Sequence, residues 1–128
     1  MSANPQQQQS SLIRKSFDSP EETRPIPKGK VEVVNLGGVQ AMRATFEPGW
    51  RWSESVKPVA GTESCQVAHT GYMLQGRMVI RMDDGTEQEF GAGDVGVIPP
   101  GHDAWIVGDE RAVFIDFQGG TTYAKPQG

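Results

Sequence analysis

From Pro20 to Pro126 a glycine or a proline interrupts this chain every few residues. With 16 glycines and 9 prolines in 128 residues, turns come too often for long helices, whose interiors both residues disfavour. Short strands joined by turns accommodate such punctuation, so the chain reads as all-β. Val31–Leu36 and Val39–Phe46 are β-rich runs on either side of Gly37-Gly38, and Pro48-Gly49 ends the second. Ser64–Gln75 and Arg77–Met82 flank Gly76. Asp83-Asp84-Gly85 is a hairpin signal leading into Thr86–Phe90. Val95–Ile98, Ala104–Val107 and Ala112–Phe117 complete about eight or nine strands. Residues 53–62, with Pro58 and Gly61, read as a loop. Sandwich, jelly roll and closed barrel all satisfy this pattern.

The length suits one domain. Residues 1–12 are polar and of low complexity, and a disordered tail is expected over 1–15. An N-terminal arm follows over 16–30, with Phe17 and Ile26 as its anchors. The β-domain is expected over 31–119 and a polar C-terminal tail over 120–128. The net charge is −4 and the pI about 5.1, which argues against nucleic acid as a partner. No run of 18 apolar residues is present, so no membrane span is expected. The N-terminus lacks the order of a secretory signal. One cysteine excludes an internal disulfide, so the reducing cytoplasm is the expected compartment.

Two segments carry more specific information. The first is Gly61-Thr-Glu-Ser-Cys-Gln-Val-Ala-His-Thr-Gly-Tyr-Met-Leu-Gln-Gly76. The second is Gly93-Asp-Val-Gly-Val-Ile-Pro-Pro-Gly-His-Asp-Ala-Trp105. They resemble the two signature motifs of the cupin superfamily, with Gly93, Pro99 and Gly101 in register in the second. The Asp-Asp-Gly hairpin between the motifs and the Phe46-Glu-Pro-Gly49 entry agree. The resemblance implies a single-domain double-stranded β-helix, a jelly-roll barrel. It also implies a homodimer formed through an exposed sheet and a small-molecule ligand or substrate.

The usual cupin ligand set, three histidines and a glutamate, does not carry over. The positions of the first two histidines hold Glu63 and Cys65, and that of the glutamate holds His69. The histidine of the second motif falls on Ala104, and His102 stands two residues earlier. Both histidines of the chain thus lie in the motifs. Side chains alternate along a strand, so 63, 65 and 69 share a face if the strand is regular, as do 102 and 104.

Three readings follow. Cys65, His69 and His102 bind a divalent metal, with Zn, Fe, Ni and Co all compatible with thiolate and imidazole donors. Three protein ligands leave a position open for catalysis, and Glu63 is a fourth ligand or a base. Such a metalloenzyme would do dioxygenase, lyase or isomerase chemistry. Alternatively the pocket holds no metal and His69 moves a proton with Tyr72 or Glu63. In the third reading the barrel only binds a small ligand, and Cys65 is a buried apolar residue. Trp50 and Trp52 share a face and are the candidate walls of the substrate pocket. Trp105 is expected on the outer face. Arg77 and Arg81 are expected to form an exposed ladder against Glu87 and Glu89.

Overall fold

The computed structural model describes residues 11–126, and nine strands make up most of its regular structure. They are β1 (Glu22–Ile26), β2 (Gly29–Asn35), β3 (Gln40–Phe46), β4 (His69–Gln75), β5 (Arg77–Met82), β6 (Glu87–Gly91), β7 (Val95–Ile98), β8 (His102–Ile106) and β9 (Ala112–Asp116). All pairings between them are antiparallel. A six-stranded sheet runs β1-β2-β3-β9-β4-β7 and a three-stranded sheet runs β6-β5-β8. This is the expected all-β jelly roll, but backbone pairing does not close it into a barrel. One side is joined only by the isolated bridges Arg51↔Trp105 and Cys65↔His102, and β6 and β7 end their sheets.

The expected turns stand where the sequence marks them. Gly85 has φ 92°, a region open to glycine at little cost, and the Asp84 carboxylate accepts the Thr86 amide at 2.9 Å. Residues 53–62 differ from the expected loop. They hold two single helical turns, α1 (Trp52–Ser55) and α2 (Lys57–Ala60). Pro58 sits in the first turn of α2, where its missing N–H costs nothing. The arm over 16–30 carries β1 and the start of β2. Ile26 joins the core. Phe17 lies beneath the Arg43 guanidinium, 5.3 Å from its ring centroid. Arg43 is also paired across the sheet with the buried Glu32 at 2.9 Å. Residues 1–10 of the expected disordered tail lie outside the described residues, and residues 11–16 are exposed and irregular.

Residues 120–126 are not the polar tail expected over 120–128; residues 127–128 lie outside the described residues. A 3-10 turn at Gly119–Thr121 folds them back, and Tyr123 and Ala124 are buried. Their polar groups find partners in the domain. The buried Arg24 on β1 donates to the carbonyls of Tyr123 at 2.6 Å and Gly120 at 2.8 Å. Arg24 is itself held by Glu22.

β4 and β9 approach unusually closely at Gly71, which pairs with Asp116. A Cβ at Gly71 would lie 2.1 Å from the Ile115 carbonyl oxygen and 2.6 Å from the Phe114 ring. Gly71→Ala must therefore push the two strands apart. A loss of about 2 kcal/mol or more is expected in urea denaturation. Gly91→Ala, whose Cβ would meet nothing nearer than 3.9 Å, should stay within about 0.5 kcal/mol of the parent.

Candidate metal centre

Three elements bring Cys65, His69 and His102 together. His69 opens β4 and His102 opens β8, both on inward positions. On β8 residues 102, 104 and 106 are all buried, as strand alternation requires. Cys65 arrives differently. Residues 64–68 do not form a regular strand. Instead Cys65 donates its amide to the His102 carbonyl at 2.7 Å, and its own carbonyl accepts the Gly101 amide at 2.7 Å. This bridge places Cys65 beside His102. The donor atoms of the three residues lie within 4.8 Å of one another, and all three residues are buried. Cys65 Sγ is 3.9 Å from His69 Nε2.

Each imidazole is oriented by an oxygen on its other side. His69 Nδ1–H donates to the Asp116 carboxylate at 2.5 Å. His102 Nδ1–H donates to the Pro99 carbonyl at 2.8 Å. In both rings Nε2 is then the nitrogen left for a metal, and in His69 it faces the Cys65 Sγ. This is the arrangement by which histidines are held for metal ligation. The rings meet edge to face at 5.3 Å.

Burial pushes the Cys65 thiol up to about 12, with Asp116 and Asp103 adding to it. Without a cation Cys65 is a thiol and not a nucleophilic thiolate. Burial, together with the neighbouring His69, lowers His102 to about 4. Burial alone would raise Asp116. The His69 hydrogen bond and charge and the Gln118 and Gly119 amides outweigh it and hold the carboxyl below its usual range.

Of the three, His69 and His102 face a cavity of about 30 Å³, room for about one water-sized occupant. Trp50 and Trp52 wall it, with Met42, Met78 and Tyr123. Both indole Nε1–H groups are buried without a hydrogen-bond partner, a state that costs about 1–3 kcal/mol per group.

Two sequence-based assignments fail. Glu63 points to solvent with its side chain 96% exposed and pairs with Lys57 at 3.0 Å. The parity argument needed a regular strand through 63–69, and none forms. Tyr72 is three positions after His69 on β4, so alternation puts it on the outer face, where it is exposed. The tyrosine at the site is Tyr123, edge-on to His69 at 5.2 Å. Asp116 was missed as well. Its signal was a charged residue in the apolar run Ala112–Phe117, which demands a buried partner. Trp105 lies outside the cavity wall, with the Arg51 guanidinium 4.3 Å above its ring. Arg77 and Arg81 form the expected exposed ladder, pairing with Glu89 and Glu87.

The low His102 value sets a pH dependence for the metal-free chain. An unfolded histidine takes a proton near 6.5, whereas folded His102 takes it near 4. Its contribution is full above about pH 6.5 and is lost as pH falls toward 4, because the unfolded chain binds the proton first. The loss approaches about 1.4 kcal/mol per pH unit, or about 3 kcal/mol in all. Urea denaturation between neutral pH and about pH 4 should show this slope, and His102→Gln should be flatter over that window.

Comparisons with known proteins give the fold and, from one family model, the family. No curated protein sequence matches the chain significantly. An RmlC-like cupin from Shewanella frigidimarina superposes with a TM-score of 0.60 at 19% identity, covering 88% of this chain and 96% of that one. A sugar phosphate isomerase of the cupin superfamily from Silicibacter pomeroyi gives 0.59 at 18% identity, covering 82% and 74%. KdgF from Halomonas sp. gives 0.54 at 18% identity, covering 77% and 86%. At these identities the likeness is one of fold. The family model of the EutQ-like cupin domain matches residues 48–115, the segment that carries both motifs and all three donors, and the chain belongs to that family.

Proposed function

We propose that this cupin is a metal-dependent enzyme acting on a small organic molecule, with Cys65, His69 and His102 as ligands of one divalent cation. The observation that carries the reading is the convergence of the three donors with both Nδ1 atoms already engaged. One thiolate and two imidazoles suit Zn, Fe, Co or Ni. A cation held there would act as a Lewis acid or activate oxygen, so dioxygenase, lyase and isomerase chemistry all fit the site.

The chain's own residues supply the rest. Asp116 fixes the His69 ring and Pro99 the His102 ring. Tyr123 is raised well above its ordinary value by burial, so it stands beside His69 as a neutral donor. The apolar wall excludes bulk water. Among the described residues no lysine or arginine lines the cavity, so a phosphorylated sugar, as the name of one similar structure would suggest, is not the substrate class favoured here. A reducing cytoplasm is the proposed setting, since it keeps the lone thiol free.

A homodimer is proposed as well. Tyr72, Leu74, Val95 and Val97 are exposed on the outer face of β4 and the edge strand β7, with Tyr72 opposite Val95 in the register. Such an apolar face on an edge strand is normally covered. The parent should sediment at twice the 13.9 kDa chain mass, and the Val95→Glu, Val97→Glu double variant as a monomer.

Elemental analysis of protein purified without a metal-affinity tag should find about one cation per chain. Cys65→Ser and His69→Ala should each cut the loading at least about tenfold. Co(II)-loaded protein should show thiolate-to-cobalt charge transfer that Cys65→Ser abolishes. Because Cys65 must lose its proton, affinity should strengthen as pH rises. Negligible loading with each of the four metals, unaffected by either substitution, would leave a ligand-binding barrel without metal.

A further inference from the structure

Every residue lining the cavity is at most 5% exposed, and Cys65 is wholly buried. A cation or a small molecule therefore reaches Cys65, His69 and His102 only when part of the wall moves. The wall is not equally fixed all round. Most of it belongs to β3, β4, β5, β7, β8 and β9, each held by a hydrogen-bonded neighbour. The Trp50–Trp52 stretch is tied to β8, since the Ile106 amide donates to the Trp50 carbonyl at 3.1 Å and Arg51 bridges to Trp105. The remaining wall residue, Tyr123, lies beyond the last strand.

This last piece is attached in another way. The amides of Thr122, Tyr123 and Lys125 donate to the carbonyls of Gly119 and Thr122, inside the segment itself. Among the described residues, no backbone hydrogen bond joins 120–126 to a strand. Side chains make the attachment. Arg24 donates to the Tyr123 carbonyl at 2.6 Å and to the Gly120 carbonyl at 2.8 Å, while Glu22 holds the guanidinium at 2.8 and 3.0 Å. The Thr121 hydroxyl donates to the Gln40 side chain at 3.2 Å, and Lys125 pairs with Glu22 at 3.7 Å. A segment fastened by side chains can lift without breaking a sheet ladder, so its opening costs less than global unfolding. Gly119 and Gly120 supply a hinge just after β9. Ala124 holds φ at 59°, a left-handed conformation that its Cβ disfavours, and lifting the segment releases that strain. Tyr123 lies edge-on to His69 at 5.2 Å, and a negative charge on Cys65 or Asp116 is felt at its hydroxyl. Lifting it uncovers the donors.

We propose that residues 119–126 form a lid over the cavity, with Tyr123 as its plug and Arg24 as its latch, and that opening of this lid admits the ligands of the site. Entry to the cavity does not require a cation to be bound, so the proposal goes beyond the metal reading and does not rest on it.

The lone thiol reports the opening. Metal-free protein is labelled with iodoacetamide in increasing urea, well below the unfolding midpoint, and the alkylation of Cys65 is followed by mass spectrometry. Opening of the lid predicts a rate nearly independent of urea, whereas global unfolding predicts one that climbs with the full surface exposed. Arg24→Met keeps an unbranched stem and deletes the latch, and it should raise the urea-independent rate about tenfold or more. Gly120→Ala stiffens the hinge with a Cβ that meets nothing nearer than 3.5 Å, and it should slow labelling about two- to fivefold. A parent rate that tracks global unfolding would overturn the lid, as would a urea-independent rate that Arg24→Met leaves unchanged. If Arg24→Met does not fold, Gly120→Ala decides: slower labelling supports the lid and an unchanged rate overturns it.

Discussion

A carboxylate with no exposure to solvent survives in a protein only where donors surround it, and Asp116 is such a group. One oxygen takes the His69 Nδ1–H. The other takes the amides of Gln118 at 2.8 Å, Gly119 at 3.0 Å and Thr70 at 3.3 Å. These contacts tie together the end of β9, the start of β4 and the turn that follows β9. They also decide how His69 is presented to Cys65. Removing the carboxylate would leave three amides and an imidazole without their acceptor. The ring, the turn and the strand pairing would loosen together.

The turn after β9 extends this constraint to the other end of the chain. Gly119 sits so close to the pair that a Cβ there would lie 2.6 Å from the Asp116 carboxylate and 2.7 Å from His69 Nδ1. The backbone then leads to Tyr123, which lies edge-on to His69. Arg24 on β1 clamps the carbonyls on either side of this passage. An arginine on the outermost strand of the large sheet therefore steadies a tyrosine at the candidate metal centre. Its charge is answered by Glu22 and its remaining donors by backbone oxygens, the pairing a buried guanidinium needs.

Much of this was legible from residues. Turn chemistry is local, so Gly37-Gly38, Pro48-Gly49, Gly76 and Asp83-Asp84-Gly85 located strand ends without knowledge of the fold. Strand parity is nearly local, and it placed His102 and Ala104 on one face of β8. What failed was parity carried through an irregular segment. Residues 64–68 are held by a bridge to β8, so Glu63 turned outward while Cys65 still arrived. Asp116 and Tyr123 were illegible for another reason. Each reaches His69 across about fifty residues of sequence, and no local rule links them. A charged residue in an apolar run and a lone aromatic in a polar tail were the only traces. The two unpaired indole nitrogens have no sequence signature at all, because satisfaction of a donor depends on the whole surrounding structure.

The close approach of β4 and β9 at Gly71 fixes the strands that carry His69 and Asp116, while other walls of the cavity can vary. Where a backbone oxygen stands 2.1 Å from a notional Cβ, no side chain can be accepted without disturbing the strands that position His69 and Asp116. Drift and redesign alike are barred from that wall. The opposite wall is built from side chains of the small sheet and of β3, where Met42, Met78, Ile80 and Ala104 differ in bulk and carry no hydrogen bonds the site needs. A library confined to those four positions should reshape the pocket while leaving the histidines where they are.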